Sequence, residues 1–237
     1  MKNMIIASTS TCFGGSYLEY LLPELKELFR DLDELLFIPY ARPGGISHDA
    51  YTDLVRKALS ELPLEVKGIH QWDDPREALG GAQALFTGGG NTFVLVDQLH
   101  KLGLMSELRN AVLGGVPYLG TSAGSNIAGL NVKTTNDMPI CHPDSLDALG
   151  VLPFNINPHY LDPIPGLKHM GETRETRIRE FHTYNSEMVV GLREGSWIRV
   201  RGQSMVLAGE ASARIFQRGR EPFEIPSGTD LLSVLSD

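Results

Sequence analysis

The sequence has few cysteines, an excess of acidic over basic residues and no long apolar run. Its only cysteines, Cys12 and Cys141, cannot build a disulfide framework, so we expect a reducing, cytoplasmic location. The 237 residues include 21 basic and 29 acidic side chains, and this net charge of -8 argues against an extended surface for nucleic acid or anionic membrane. No segment approaches the roughly 20 apolar residues that span a bilayer, and the short apolar N-terminus does not fit a signal peptide.

Metal-binding motifs are also missing from the sequence. There is no His-Glu-x-x-His, no His-x-His and no pair of closely spaced cysteines, so we expect no metal site. Glycine and proline are well represented, with 25 and 14 residues, which predicts many tight turns.

Short apolar runs alternate with helical patterns over the first 130 residues. The predicted strands are 4–7, 35–39, 64–69, 82–87 and 116–119, and the predicted helices are 17–30, 47–62, 92–100 and 105–113, with Ser47 as an N-cap. Strands that alternate with helices indicate right-handed crossovers. We therefore predict an α/β fold in which helices cover both faces of a mostly parallel sheet.

The pattern changes after residue 130. Residues 131–165 are rich in Asn, Asp and Pro and predict loops, and residues 172–182 predict a helix. Four short runs, 188–190, 197–200, 205–207 and 214–217, predict a small antiparallel addition to the main sheet. Since no repeat or linker interrupts the chain, we predict one α/β domain over residues 1–237.

A Gly-x-Ser-x-Gly motif follows the predicted strand 116–119. Ser122 is its central residue, and a run of small residues that can start a helix follows. A strand-turn-helix elbow exposes the central hydroxyl, and the peptide N–H of Ala123 would stabilise an oxyanion there. The alternative is a structural turn built from small residues.

A second glycine-rich turn follows the predicted strand 82–87. Its three glycines, residues 88–90, precede Asn91 and a predicted helix. Because parallel strands end at one edge of the sheet, this turn would place a second oxyanion donor beside Ser122. A phosphate-binding loop is a weaker interpretation, since the motif lacks the spacing of a P-loop. A turn with a purely structural role is the other alternative.

A nucleophilic serine needs a general base, and histidine is the usual one. His159 stands out among the seven histidines because it follows an apolar run and so lies at a predicted strand end. His48, His70 and His100 are expected to be solvated or partly packed, His142 lies in a proline-bounded loop near Cys141, and His169 and His182 flank the predicted late helix.

Taken together, these motifs resemble the peptidase E family of aspartyl dipeptidases, which have a fold like that of the class I glutamine amidotransferases. The matching segments, in chain order, are Phe37-Ile38-Pro39, Gly88-Gly89-Gly90-Asn91-Thr92, Gly120-Thr121-Ser122-Ala123-Gly124, Thr134-Thr135-Asn136-Asp137-Met138-Pro139, Asn157-Pro158-His159, Gly171-Glu172-Thr173-Arg174-Glu175 and Glu194-Gly195-Ser196-Trp197. One departure is Thr121, where some relatives carry an aromatic residue.

The resemblance implies hydrolysis of dipeptides with an N-terminal aspartate, with no metal or organic cofactor. It implies Ser122 as the nucleophile, His159 as its base, and Ala123 with Gly89 or Gly90 as oxyanion donors. Both Asp137 and Glu194 fall on positions suited to the acid that orients His159. Glu194 ranks first, because the acid tends to follow the histidine in amidotransferase-like arrangements.

Substrate recognition is assigned to two further residues. The resemblance implies that Asn91 contributes to substrate binding and that Arg174 binds the aspartate side chain, since a guanidinium fits a carboxylate in bidentate fashion. For Arg174, a surface ion pair with Glu175 is the alternative. The expected partner is a small peptide, and both a monomer and a homodimer remain open.

Three other functions remain as alternatives. An esterase resembling the α/β-hydrolases would place its acid between the serine and the histidine, as Asp137 would be. A peptidase resembling cyanophycinase would cleave β-aspartyl-arginine units. A non-catalytic α/β module would bind a small anion on the turn at residues 88–91.

Overall fold

The chain forms two β-sheets, which the computed structural model describes over residues 1–163, 166, 168 and 170–235. The strands are β1 (Asn3–Ala7), β2 (Glu34–Ile38), β3 (Glu65–Gly68), β4 (Leu85–Thr87), β5 (Tyr118–Thr121), β6 (Asn155–Pro158), β7 (Val189–Leu192), β8 (Ser196–Arg201), β9 (Ser204–Gly209), β10 (Ala213–Phe216) and β11 (Phe223–Ile225).

Eight α-helices accompany these strands in the described part of the chain. They are α1 (Leu22–Leu28), α2 (His48–Ala58), α3 (Pro75–Gly80), α4 (Thr92–Lys101), α5 (Met105–Gly114), α6 (Ala123–Asn126), α7 (Arg174–Tyr184) and α8 (Leu231–Leu235). Polar N-caps start several of them, since a side-chain oxygen accepts a hydrogen bond from a free backbone N–H of the first turn. Ser47 caps α2, Asn91 caps α4 and Thr173 caps α7 in this way.

The larger sheet has seven strands in the order β3-β2-β4-β5-β1-β8-β9. Its first five strands are parallel, while β8 and β9 continue it in antiparallel register. Side chains alternate across the sheet, so Ile5 and Phe37 pack in one apolar core and Ile6 and Leu36 in the core on the other face. Burial on both faces explains why β1, β2, β4 and β5 are nearly continuous apolar runs in the sequence. The predicted fold class is confirmed.

The smaller sheet has four strands in the order β11-β10-β7-β6. This corrects the predicted single addition to the main sheet, because only β8 and β9 extend that sheet. Strand β6 lies in the region 131–165 that was expected to be mostly loop apart from the apolar run before His159; all four of its residues are buried and it pairs in parallel with β7. The strand β10 pairs with the other edge of β7, and β11 completes the second sheet.

Several short elements also differ from the sequence expectation. The helix predicted over 17–30 begins later, with a 3₁₀ turn at Glu19–Leu21 followed by α1, which has proline near its start. The short elements α3, β11 and α8 were not predicted. His169, expected beside the late helix, lies outside the described residues. Within the described ranges, no helix is long and apolar enough to cross a membrane.

Candidate active site

Ser122 lies on a sharp turn between β5 and α6. Its backbone has φ 54° and ψ -110°, a conformation that side chains other than glycine rarely adopt. A Cβ at Gly124 would collide with the carbonyl oxygen of Thr87, and one at Gly120 would lie 2.5 Å from the carbonyl oxygen of Gly124. Both flanking positions of the motif therefore require glycine. The turn holds the Ser122 side chain at the carboxyl edge of the large sheet.

His159 and Glu194 complete a hydrogen-bonded chain with this serine. His159 Nε2 lies 2.9 Å from Ser122 Oγ, and His159 Nδ1 lies 2.6 Å from Glu194 Oε1. The side chains of His159 and Glu194 are 36% and 47% exposed, so water reaches the outer end of the chain. A carboxylate on Nδ1 fixes the tautomer in which Nε2 accepts the serine proton.

The turn that carries His159 is held by hydrogen bonds to its backbone. His159 has φ 51°, and its N–H donates to Ser8 Oγ at 2.8 Å. Asn136 Nδ2 donates to the carbonyl of Pro158 at 2.6 Å, and Asn157 Nδ2 donates to Asn136 Oδ1 at 2.7 Å. These contacts hold a backbone conformation that costs about 1–3 kcal/mol for a non-glycine residue.

The turn that carries Glu194 is tied to the histidine segment by Arg193. The Arg193 guanidinium forms bidentate ion pairs with Asp162 and with Glu224, with N···O distances of 2.8–2.9 Å. Hydrogen bonding from Arg193 lowers the pKa of Glu224 to about 2. Since Asp162 follows His159 by three positions and Arg193 precedes Glu194, this network joins the two turns.

Gly89 and Ala123, two of the three oxyanion donors predicted from the sequence, lie beside Ser122. A Cβ at Gly89 would stand 2.9 Å from Ser122 Cβ, so the glycine turn packs directly against Ser122. Across the described residues, no backbone acceptor pairs with the N–H groups of Gly89, Gly90 or Ala123. Tyr51 fixes the turn from behind, donating its O–H to the carbonyl of Gly89 at 3.1 Å. Burial raises the pKa of Tyr51, which keeps this hydroxyl a donor.

Asp137 and Asn91 lie at the start of α4 and do not contact His159. Asp137 Oδ2 accepts from the N–H of Thr92 at 2.7 Å and from Thr135 Oγ1 at 3.1 Å. Asn91 Oδ1 accepts from the N–H of Val94, and its Nδ2 donates to the carbonyl of Met138. In this structure both side chains therefore stabilise the turn that carries the predicted oxyanion donors.

Arg174 is the first residue of α7 and is half-buried. Its pKa is lowered, chiefly by burial and further by Arg177, while the charge of Asp137 opposes the shift. In the part of the chain that is described, no carboxylate lies within 4.0 Å of its guanidinium. The alternative pairing with Glu175 does not occur, because Glu175 pairs with Arg179 and Arg214.

Ser8 and Arg193 are functional candidates that the sequence reasoning missed. Ser8 directly follows β1, the strand beside β5. A polar residue at the end of that strand was the one feature of the sequence that could have identified Ser8 as a site residue. Arg193 precedes Glu194, but nothing in the sequence distinguishes it from an ordinary charged residue at the surface. The remaining described histidines lie elsewhere; His70 contacts Asp49, His100 contacts the carbonyl of Asp147 and His182 contacts the carbonyl of Glu187.

The described residues contain no group of three or more His, Cys, Asp or Glu side chains arranged to hold a metal ion. What the site does offer is a serine hydroxyl, a hydrogen-bonded imidazole and carboxylate, and unpaired peptide N–H groups. These are the parts that acyl transfer through a serine ester requires.

Comparison with known proteins gives matches over nearly the whole chain. The model of peptidase family S51 matches residues 4–208. A protein named peptidase E from Streptomyces coelicolor is 48% identical, over 98% of this chain and 95% of that protein. A protein named probable alpha-aspartyl dipeptidase from Drosophila melanogaster is 44% identical, over 100% of this chain and 95% of that protein. The crystal structure of a peptidase from an acI-B1 Actinobacterium shares the fold, with a TM-score of 0.73 at 18% identity over 97% of this chain and 96% of that one.

Proposed function

The chain belongs to peptidase family S51, and we propose that it is a serine peptidase that hydrolyses dipeptides with an N-terminal aspartate. The hydrogen-bonded chain from Ser122 through His159 to Glu194 is the observation that carries this proposal. The names of relatives at 44% and 48% identity support the substrate class.

The reaction proceeds by acyl transfer. His159 Nε2 takes the proton of Ser122 as the hydroxyl oxygen attacks the peptide carbonyl, and Glu194 stabilises the resulting imidazolium. His159 then gives that proton to the leaving amine as the C–N bond breaks. Water then attacks the aspartyl ester as His159 takes one of its protons, and His159 returns that proton to Ser122 Oγ as the ester C–O bond breaks, which releases aspartate and regenerates the serine hydroxyl.

The negative charge that develops on the carbonyl oxygen is stabilised by peptide N–H groups. Ala123 supplies one donor and the glycine turn supplies the other, from Gly89 or Gly90. Loss of one such donor costs about 2.7–4 kcal/mol of transition-state stabilisation in acyl transfer. Because Asp137 and Asn91 hold the start of α4, they keep this turn in place.

Recognition of the substrate aspartate is assigned to Arg174. An acidic substrate approaching a chain of net charge -8 needs a local cation, and Arg174 has no carboxylate partner in the described part of the site. Its partial burial strengthens a charge-assisted pair with a carboxylate relative to one in open water.

The partner that we propose for this protein is its substrate, a small peptide. The free cysteines Cys12 and Cys141 favour action in the cytoplasm.

The experiment compares rates with Asp-Leu, Leu-Leu, β-Asp-Arg and a short-chain ester, with the Ser122→Ala variant as the blank. The proposal predicts that kcat/KM is highest for Asp-Leu and that the variant lacks this activity. A dominant rate with β-Asp-Arg would indicate a cyanophycinase-like peptidase, and a dominant ester rate an esterase. Turnover of none of the four would favour a binding module.

A further inference from the structure

The catalytic residues come from two different sheets. Ser122 follows β5 of the seven-stranded sheet, whereas His159 and Glu194 follow β6 and β7 of the four-stranded sheet. The distance from Ser122 Oγ to His159 Nε2 therefore depends on how the ends of these two sheets are joined. A displacement of about 1 Å between reacting groups can lower a rate about 100-fold.

The end of β1 makes contact with both parts of the site. The carbonyl of Ala7 accepts hydrogen bonds from the N–H of Ser122 at 3.2 Å and from Ser125 Oγ at 2.6 Å. The next residue, Ser8, reaches the other sheet: its Oγ donates to the carbonyl of Leu192 at 2.7 Å and accepts the N–H of His159 at 2.8 Å. Two successive residues thus hold the serine on one side and the histidine on the other.

The Ser8 hydroxyl is fully buried, so water cannot replace it without a rearrangement. Its single proton is donated to Leu192, at the end of β7, and this leaves an oxygen lone pair for the N–H of His159. Removal of the hydroxyl leaves that N–H without a partner. His159 already has an unfavourable positive φ of 51°, so the turn loses a bond at the point where its backbone is strained.

We propose that Ser8 is a positioning residue for catalysis, which sets the place of His159 relative to Ser122 by joining the two sheets. The inference rests on the proposed serine-peptidase function. Ser8 acts through the backbone of His159 and does not touch the substrate. It should therefore affect the rate of acylation more than the binding of the peptide.

The test compares Ser8→Ala with the wild-type protein and with Ser204→Ala. Ser204 is a suitable control because its Oγ also donates a hydrogen bond, to Asp230 Oδ2 at 2.8 Å, but it starts β9 at the opposite end of the large sheet. Two quantities are measured: kcat and KM with Asp-Leu, and the rate at which a small fluorophosphonate labels Ser122. Thermal melting reports the stability of each variant.

The expected result for Ser8→Ala is a fall of about 10- to 100-fold in kcat and in labelling rate, with KM within about 3-fold. Ser204→Ala should keep both rates. A folded Ser8→Ala protein with wild-type kcat and labelling, even one that melts at a lower temperature, would overturn the inference. If Ser8→Ala does not fold, Ser8→Cys is used, since its weaker and longer S–H group should also lower both rates. Wild-type rates in that variant would overturn the proposal.

Failure of this inference is distinguishable from failure of the proposed function. A wild-type protein that neither hydrolyses Asp-Leu nor reacts with the fluorophosphonate would contradict the serine-peptidase function itself. A reactive wild-type protein with an equally reactive Ser8→Ala variant would contradict only the role of Ser8.

Discussion

Replacing Glu194 by glutamine removes the charge that faces His159 and preserves the shape of the side chain. The carboxylate oxygen lies 2.6 Å from Nδ1, so in the proposed mechanism it would stabilise the imidazolium that forms in the transition state. Two unit charges about 4 Å apart interact by about 4 kcal/mol at an effective dielectric constant of about 20, and by about 1 kcal/mol in bulk water. The pair is 36% and 47% exposed, so a value between these limits applies.

A loss of about 1–4 kcal/mol corresponds to about 5- to 1,000-fold in rate. Because the tautomer effect described next adds to this loss, we expect Glu194→Gln to lower kcat by about 100- to 1,000-fold, below the roughly 10,000-fold loss seen when a fully buried triad acid becomes an amide. The amide can also donate a hydrogen bond to Nδ1 and so favour the wrong tautomer. KM for Asp-Leu should change little, because the carboxylate acts on the imidazole and not on the substrate.

Asp137→Asn is the matched control, because it makes the same chemical change at the other candidate acid. Its oxygen accepts from the N–H of Thr92, a helix N-terminal interaction worth about 0.3–1 kcal/mol, and an amide oxygen keeps part of it. The rate should fall less than about 10-fold.

Stopped-flow measurement of single-turnover acylation separates the two variants. If Asp137→Asn lowers the acylation rate by orders of magnitude while Glu194→Gln changes it little, the assignment of Glu194 is wrong. If both losses are severe, Asp137 has a role beyond the start of α4, and binding of the substrate α-ammonium is the first candidate.

Three further predictions concern specificity, the oxyanion turn and acid stability. Arg174→Met should abolish the preference for Asp over Asn at the first substrate position, measured as a ratio of kcat/KM values; an unchanged ratio would move the role to another residue. Gly89→Ala places a Cβ 2.9 Å from the Cβ of Ser122 and should lower kcat about 100-fold, whereas Gly114→Ala, which meets nothing within 4 Å, should leave kcat unchanged. The pKa of Glu224 is lowered to about 2 in the folded protein from an ordinary value of 4.5, so its ion pair with Arg193 stabilises the fold fully above pH 4.5 and is lost as the pH falls towards 2. Glu224→Gln should consequently lower the melting temperature more at pH 7 than at about pH 3, and an equal difference at both pH values would contradict this origin.

The core of the fold could be predicted from the sequence because its signals are local. The parallel strands β1, β2, β4 and β5 are short apolar runs that are largely buried on both faces, and a helical pattern or a glycine turn follows most of them, whereas β3 at the edge of the sheet alternates buried and more exposed residues. The Ser122 elbow was predictable for the same reason, since its glycines and its strand lie within a few residues of one another.

The second sheet could not be predicted in this way. Residues 155–158 contain two asparagines and a proline, which favour loops, yet burial and pairing with β7 make them a strand. His159 was placed at a strand end by its neighbours, but its distance to Ser122 depends on a contact between the two sheets. Pairing of residues 35 or more positions apart, as between His159 and Glu194, leaves no local pattern in the sequence.

Asp137 illustrates a different limit. Its motif fits either a catalytic acid or a residue that supports the site, because both need a carboxylate near the carboxyl ends of the strands. Only the three-dimensional arrangement shows that its oxygen accepts from the N–H of Thr92, while the carboxylate of Glu194 reaches the imidazole.

The most direct test of the proposed activity is labelling by two matched aminoalkylphosphonate diphenyl esters, one with the aspartate side chain and one with the leucine side chain. These reagents form a covalent bond to an activated serine, and peptide mapping by mass spectrometry locates it. We predict a single adduct on Ser122, formed much faster with the aspartyl reagent and absent in His159→Ala. An adduct on another residue, no adduct, or equal rates for the two reagents would contradict an aspartyl peptidase that acts through Ser122.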